Sequence, residues 1–249
     1  MKVALLPLPL GEGWGEGIGD THFSECFPHP NLLPKGEGTR HFVFANAKGV
    51  WPMPIVLIDN YDSFTFNLFQ MVQAISAVPV WVFRNDEKTC EELLALQPEK
   101  IILSPGPGHP DVASDFGVCR DLIATQATHG IPILGVCLGH QGLSSVYGAN
   151  VVQAPAIVHG KTSEIDVLDE DCPLFVGMPR PFQAMRYHSL VVEEATLPSV
   201  LKVTCKDKTH GLIMGVQHTS LPLYGVQFHP ESIGTPEGQR LLQNFVERV

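Results

Sequence analysis

The chain has 249 residues, 44% hydrophobic and 17% charged, enough to bury a full core in one domain of ordinary size. Its net charge of −10, from 16 basic and 26 acidic residues with no local block of Lys or Arg, argues against nucleic acid or an anionic membrane as the main partner. No apolar run approaches the roughly 20 residues of a membrane helix. The six cysteines (Cys26, Cys90, Cys119, Cys137, Cys172 and Cys205) show neither C-x-x-C pairs nor a disulfide framework. Reduced thiols in a cytoplasmic protein are the expected state.

Residues 1–52 differ from the rest. "LPLPLGEGWGEGIGD" and "HPNLLPKGEGTRH" are rich in Gly and Pro and hold no apolar period long enough to build an element. The expectation is a disordered or loosely docked extension, with translation normally beginning at Met53 and residues 53–249 forming the domain. A signal peptide drawn from "VALLPLPL" is broken by two prolines and lacks a cleavage site. "GEGWGEG" lacks the G-x-G-x-x-G spacing of a nucleotide loop.

From Met53 onward, strand and helix patterns alternate. "PIVLID" reads as a buried strand. "SFTFNLFQMVQAI" reads as a helix with Phe64, Leu68, Met71, Val72 and Ile75 on one face and Asp62 or Ser63 as N-cap. "VPVWVF" is a second strand, "CEELLAL" a short helix and "KIILS" a third strand ending at "PGPGHP". One helix is expected over "DFGVCRDLIATQATHG", closed by Gly130, before a fourth strand "IPILGV". Such alternation implies a mostly parallel central sheet flanked by helices, an α/β fold. After Asn150, short β-type runs predict antiparallel additions, with "LYGVQF" returning to the main sheet. Thr235 as N-cap and Pro236 at the first helical position predict a last helix carrying Leu241, Leu242, Phe245 and Val246.

The corner between "IPILGV" and the next helix carries Gly135-Val136-Cys137-Leu138-Gly139. Glycines on both sides allow a strained turn that pushes the Cys137 side chain clear of the sheet. The following helix aims free N–H groups and its positive dipole end at the sulfur, which favours a nucleophilic thiolate. The competing reading is a buried core cysteine. His229 in "YGVQFHPES" lies at the carboxyl end of a strand, where open α/β sheets place their sites. Pro230 holds His229 extended, so Glu231, two residues on, projects to the same side and can orient the imidazole. Alone, these two would be a loop histidine and a surface glutamate. In "SPGPGHP", the glycines let backbone N–H groups approach a developing oxyanion, with the N–H of Leu138 as a second donor.

"GVCLGHQ", "SPGPGHP", "RYHSL" and "FHPES", in this order, resemble the class I glutamine amidotransferases. "LIDNYDSFTFNL" and "HGKTSEI" narrow the likeness to the glutaminase component of anthranilate synthase and its relative in 4-amino-4-deoxychorismate synthase. The resemblance covers residues 53–249. It implies a Cys137–His229–Glu231 triad, a glutamine and oxyanion pocket lined by Gly106, Pro107 and Gly108, and contacts to glutamine from Gln141 and from backbone at Ser189 and Leu190. It also implies L-glutamine as substrate and no metal or cofactor in this chain. The partner would be a separate chorismate-using synthase subunit that employs Mg²⁺, forming a hetero-oligomer, with "HGKTSEI" and "RYHSL" as docking candidates. Gly234 departs from the bulkier residue common in the anthranilate branch, which leaves the branch open between tryptophan and folate synthesis. "HGKT" is not a phosphate loop, because residue 155 is proline where that motif needs glycine. The rival enzyme reading is a free γ-glutamyl thiol hydrolase on a similar fold.

Overall fold

A computed structural model describes residues 53–249. The expectations for residues 1–52 lie outside them. In chain order the elements begin with β1 (Ile55–Asp59), α1 (Thr65–Ile75), β2 (Val80–Arg84), α2 (Cys90–Leu94) and β3 (Lys100–Leu103). They continue with α3 (Ala113–Phe116), α4 (Cys119–Ala124), α5 (Gln126–His129), β4 (Ile133–Val136) and α6 (Leu138–Val146). The second half holds β5 (Val151–Val167), β6 (Phe182–Val192), β7 (Leu201–Asp207), β8 (Ile213–His218), β9 (Leu223–Val226) and α7 (Gly238–Arg248).

One sheet runs in the order β2-β1-β3-β4-β9-β8-β7-β5-β6. The first five of these strands are parallel, and the last four join antiparallel. "LYGVQF" does return to the main sheet, as β9 beside β4. Strands β1, β3 and β4 are buried along their length because each has two covered faces, whereas β2 at the edge is partly exposed. Ile55 and Leu57 of β1 point to one side, with Leu68 and Val72 of α1 and Leu241, Leu242 and Phe245 of α7. Val56 and Ile58 point to the other, with Leu122, Ile123, Leu138 and Leu143. The period of two thus divides one sheet between two cores.

Three local expectations are corrected. Helix α1 begins at Thr65, not at an Asp62 or Ser63 cap. Asp62 accepts the Phe64 N–H at 2.7 Å, and Thr65 Oγ1 donates to Asp59 Oδ1 at 2.7 Å, so the turn persists one step further. Phe64 is consequently outside the helix and exposed. The single helix expected over residues 115–130 is broken into short pieces. Gly117 takes φ 46° against Asn85, whose carbonyl accepts the Val118 N–H at 2.9 Å. Gly130 does close the last piece, in the left-handed conformation. Helix α7 starts at Gly238 behind Glu237, because the Thr235 hydroxyl is used elsewhere, in the loop beside Cys137. Among the described residues no helix is long and apolar enough to cross a membrane.

Candidate active site

Strand β4 and helix α6 meet at Cys137, whose backbone sits at φ 51°, ψ −98°. A non-glycine residue there is strained, and the surrounding bonds hold it. The Cys137 N–H donates to Val226 O at 2.8 Å, and its carbonyl accepts the Gln141 N–H at 3.0 Å. A Cβ on Gly135 would lie 2.4 Å from the Gly139 carbonyl, so strand and helix approach backbone to backbone. The Gly-x-Cys-x-Gly pattern reflects that approach. Leu138 opens the helix, where N–H groups lack intrahelical partners.

The parallel register pairs Gly135 with Gly225 and Val136 with Val226. One step further brings Gln227 beside Cys137, and its Nε2 donates to Cys137 Sγ at 3.5 Å. His229 follows on the same side, with Nδ1 2.5 Å from Glu231 Oε1 and both side chains buried. Two bonds tie this segment to the antiparallel half, and a third braces the segment on itself. The His229 N–H donates to Met185 O at 3.0 Å, and the Met185 N–H to Thr235 Oγ1 at 2.9 Å. Thr235 Oγ1 donates to His229 O at 2.7 Å.

Burial by itself would push the His229 imidazolium down. The proximity of Cys137 and the bond to Glu231, with their negative charge, outweigh it and raise His229 to about 11. The Tyr187 ring meets His229 edge-on at 5.0 Å, and Phe64 stacks on Tyr187 at 5.9 Å. Asp62, in the loop before α1, faces His229 and Glu231. Burial raises its carboxyl above the ordinary range.

The "SPGPGHP" loop leaves β3 next to this corner. Asn60 clamps its root, with the backbone N–H donating to Ser104 Oγ at 2.8 Å and Nδ2 to Ser104 O at 2.9 Å. A Cβ on Gly106 would lie 2.5 Å from Asn60 O and 3.0 Å from Leu138 Cδ2, so only glycine lets the loop lie over the elbow. Pro107 and Gly108 are exposed above it.

Gln141 is buried, and its Nε2 donates to both Leu190 O and Gln227 Oε1 at 3.1 Å. Leu190 O also accepts from His188 Nδ1 at 3.0 Å. Ser189 is exposed beside it. Sequence reasoning placed Gln141 and the Ser189–Leu190 backbone here but missed Gln227, Asn60 and the buried Arg186–His188 pair. Gln227 was within reach, since it stands two residues before His229 and shares its side of the strand. The other two are recognisable only through their tertiary partners.

The model of the family "Glutamine amidotransferase class-I" matches residues 56–249. Anthranilate synthase component 2 of Azospirillum brasilense is 47% identical over 192 residues, covering 77% of this chain and 94% of that protein. Aminodeoxychorismate/anthranilate synthase component 2 of Bacillus subtilis is 47% identical over 193 residues, covering 78% and 95%. Among solved structures, a putative GMP synthase subunit from Thermoplasma acidophilum superimposes with TM-score 0.68 at 25% identity, covering 78% of this chain and 92% of that one. With a cysteine elbow, a buried His–Glu pair beside it and a match from Val56 to the last residue, this chain belongs to the class I glutamine amidotransferases.

Proposed function

We propose that the chain is the glutaminase subunit of a chorismate-using synthase, with Cys137, His229 and Glu231 as its catalytic groups. One observation carries this reading: a buried His229–Glu231 pair stands beside the Cys137 elbow at the carboxyl ends of adjacent parallel strands. The raised His229 keeps a proton on the ring for the leaving nitrogen.

The thiolate attacks the side-chain amide carbon of glutamine. The N–H of Leu138 and those of the Gly106–Gly108 loop stabilise the oxyanion. His229 then gives its proton to the leaving nitrogen, releasing ammonia and a γ-glutamyl thioester. Water that loses its proton to His229 attacks the thioester, freeing glutamate and regenerating the thiolate. Glu231 keeps the ring in the orientation this needs and stabilises its charged form.

Ammonia in bulk water near neutral pH is mostly ammonium, a poor nucleophile, so a docked acceptor subunit is part of the proposal. The names of the relatives point to anthranilate as product, in tryptophan synthesis. The double name of the Bacillus relative supports 4-amino-4-deoxychorismate as a second product. Mg²⁺ belongs to the synthase subunit in this scheme, and the complex is cytoplasmic. The docking candidates lie on β5 and on β6, the edge strand of the sheet.

The test is ammonia and glutamate release from glutamine by the full chain, alone and with either synthase subunit plus chorismate. Stimulation by one subunit is expected, with a loss of about a thousandfold or more in Cys137→Ser. No stimulation by either subunit, or retained cleavage in the variant, overturns the proposal.

A further inference from the structure

The hydrogen-bond partners of Gln227 can be assigned donor by donor. Arg186 can only donate, and its Nε reaches His188 Nε2 at 2.9 Å. His188 must therefore carry its proton on Nδ1, which donates to Leu190 O. Burial pushes the imidazolium form of His188 down to about 4, which keeps the ring neutral. The nitrogen of Gln141 also faces Leu190 O, which fixes that amide and turns the same nitrogen toward Gln227 Oε1. The Gln227 amide is then left with its Nε2–H groups on the side of the Cys137 sulfur.

Arg186, His188, Gln141 and Gln227 are all buried, so water does not compete for these donors. Arg186 Nη1 is itself held by Asp207 at 3.3 Å and by Ser163 Oγ at 3.1 Å. The polarity is thus set at a buried ion pair and ends at the nucleophile.

We infer that Gln227 is a further catalytic residue: its side-chain N–H donates to the Cys137 sulfur and stabilises the thiolate, and Gln141, His188 and Arg186 are positioning residues that keep that N–H turned toward it. The inference rests on Cys137 being the nucleophile. A neutral donor on the charged form favours that form and fixes the sulfur opposite His229. It also leaves the imidazole free to serve the leaving nitrogen. The titratable groups around the sulfur are His229 and Glu231 on the same segment, Asp62 before α1 and His188 on β6. Gln227→Met removes none of them and adds no charge beside them.

The experiment measures alkylation of Cys137 by iodoacetamide against pH, with the modified peptide identified by mass spectrometry, in the full-length protein. Gln227→Met keeps the length and removes the donor. The midpoint of the alkylation profile is expected to rise by about one pH unit, as for a lost hydrogen bond to a charged group. The glutaminase kcat should fall about tenfold with KM nearly unchanged. Gln227→Glu still accepts from Gln141 but turns a carboxylate oxygen toward the sulfur, so its midpoint should rise further. It also serves as the test if the methionine variant fails to fold. A folded variant of either kind with the wild-type midpoint and wild-type kcat overturns the inference. Glutamine cleavage persisting in Cys137→Ser would instead remove the nucleophile assignment, a separate result from an unshifted profile at Gln227.

Discussion

The two halves of the sheet position their contributions to the site by different means. In the parallel half, β4 and β9 lie side by side, and their register alone carries Cys137 and Gln227 to the same level at the strand ends. Those strands are buried on both faces and leave little freedom for a polar side chain except at the carboxyl end, where backbone pairing stops. In the antiparallel half, β6 alternates buried and more exposed residues, so polar side chains enter the interior from the strand itself. Arg186 and His188 do so, and each needs a specific partner to be tolerated there. The parallel half places groups by topology, the antiparallel half by paired charges and hydrogen bonds. The first should resist small electrostatic changes and fail on steric ones, and the second should do the reverse.

The strongest break in the antiparallel half is expected from Asp207→Asn. Arg186 would be left buried without its counter-charge, and the turn would lose the carboxylate that accepts the His210 and Leu212 N–H groups at 2.9 and 2.8 Å. A loss of about 3 kcal/mol in urea unfolding is expected. An unchanged midpoint would place the ion pair outside the stability of this half.

The steric counterpart is Gly135→Ala. Its Cβ would meet the Gly139 backbone at 2.4 Å, which cannot yield as a side-chain tip would. Displacing the elbow by a fraction of an ångström should lower glutaminase kcat about 100-fold. If activity survives in a folded variant, the close approach does not set the position of Cys137.

A smaller effect of pH is expected from a buried histidine in each half. Burial lowers His188 to about 4 and His140 to about 3, both below the 6.5 of an unfolded histidine. The native state therefore binds fewer protons than the unfolded chain across that window. The stability these neutral rings contribute is present above pH 6.5 and is lost as pH falls through their folded values. The melting temperature should drop by roughly 5 °C or more between pH 6.5 and 4.5. His188→Gln should flatten part of that slope, and an identical slope in the variant would assign it to other groups.

The smallest change lies away from both contributions. Thr89 caps α2 in a reciprocal box with Glu92. Thr89→Ala should cost about 1 kcal/mol of stability with glutaminase activity unaltered. A loss of activity would mean that the site senses stability anywhere in the domain.

Much of the fold and part of the site can be read in the residues because they depend on near neighbours in the chain. The apolar runs of β1, β3 and β4 identify buried parallel strands. Gly135 and Gly139 around Cys137 announce a tight corner, and the two-residue spacing of His229 and Glu231 puts both on one side. The misplaced boundaries have a common origin. Phe64 lies outside α1, residues 115–130 are split, and Thr235 does not cap α7, because Asp59, Asn85 and His229 claim the groups in question from elsewhere.

The sequence by itself determines which segments are strands and helices, where the corner falls, and which side of the last strand carries the imidazole, because periodicity and turn chemistry act over a few residues. Only the tertiary structure decides that β9 lies against β4, that an arginine in β6 is neutralised by an aspartate in β7, and that Gln227 therefore turns its N–H toward Cys137. Those outcomes depend on register and on buried polar groups finding partners 20 to 90 residues away, and nothing in the local pattern encodes which partner will be there.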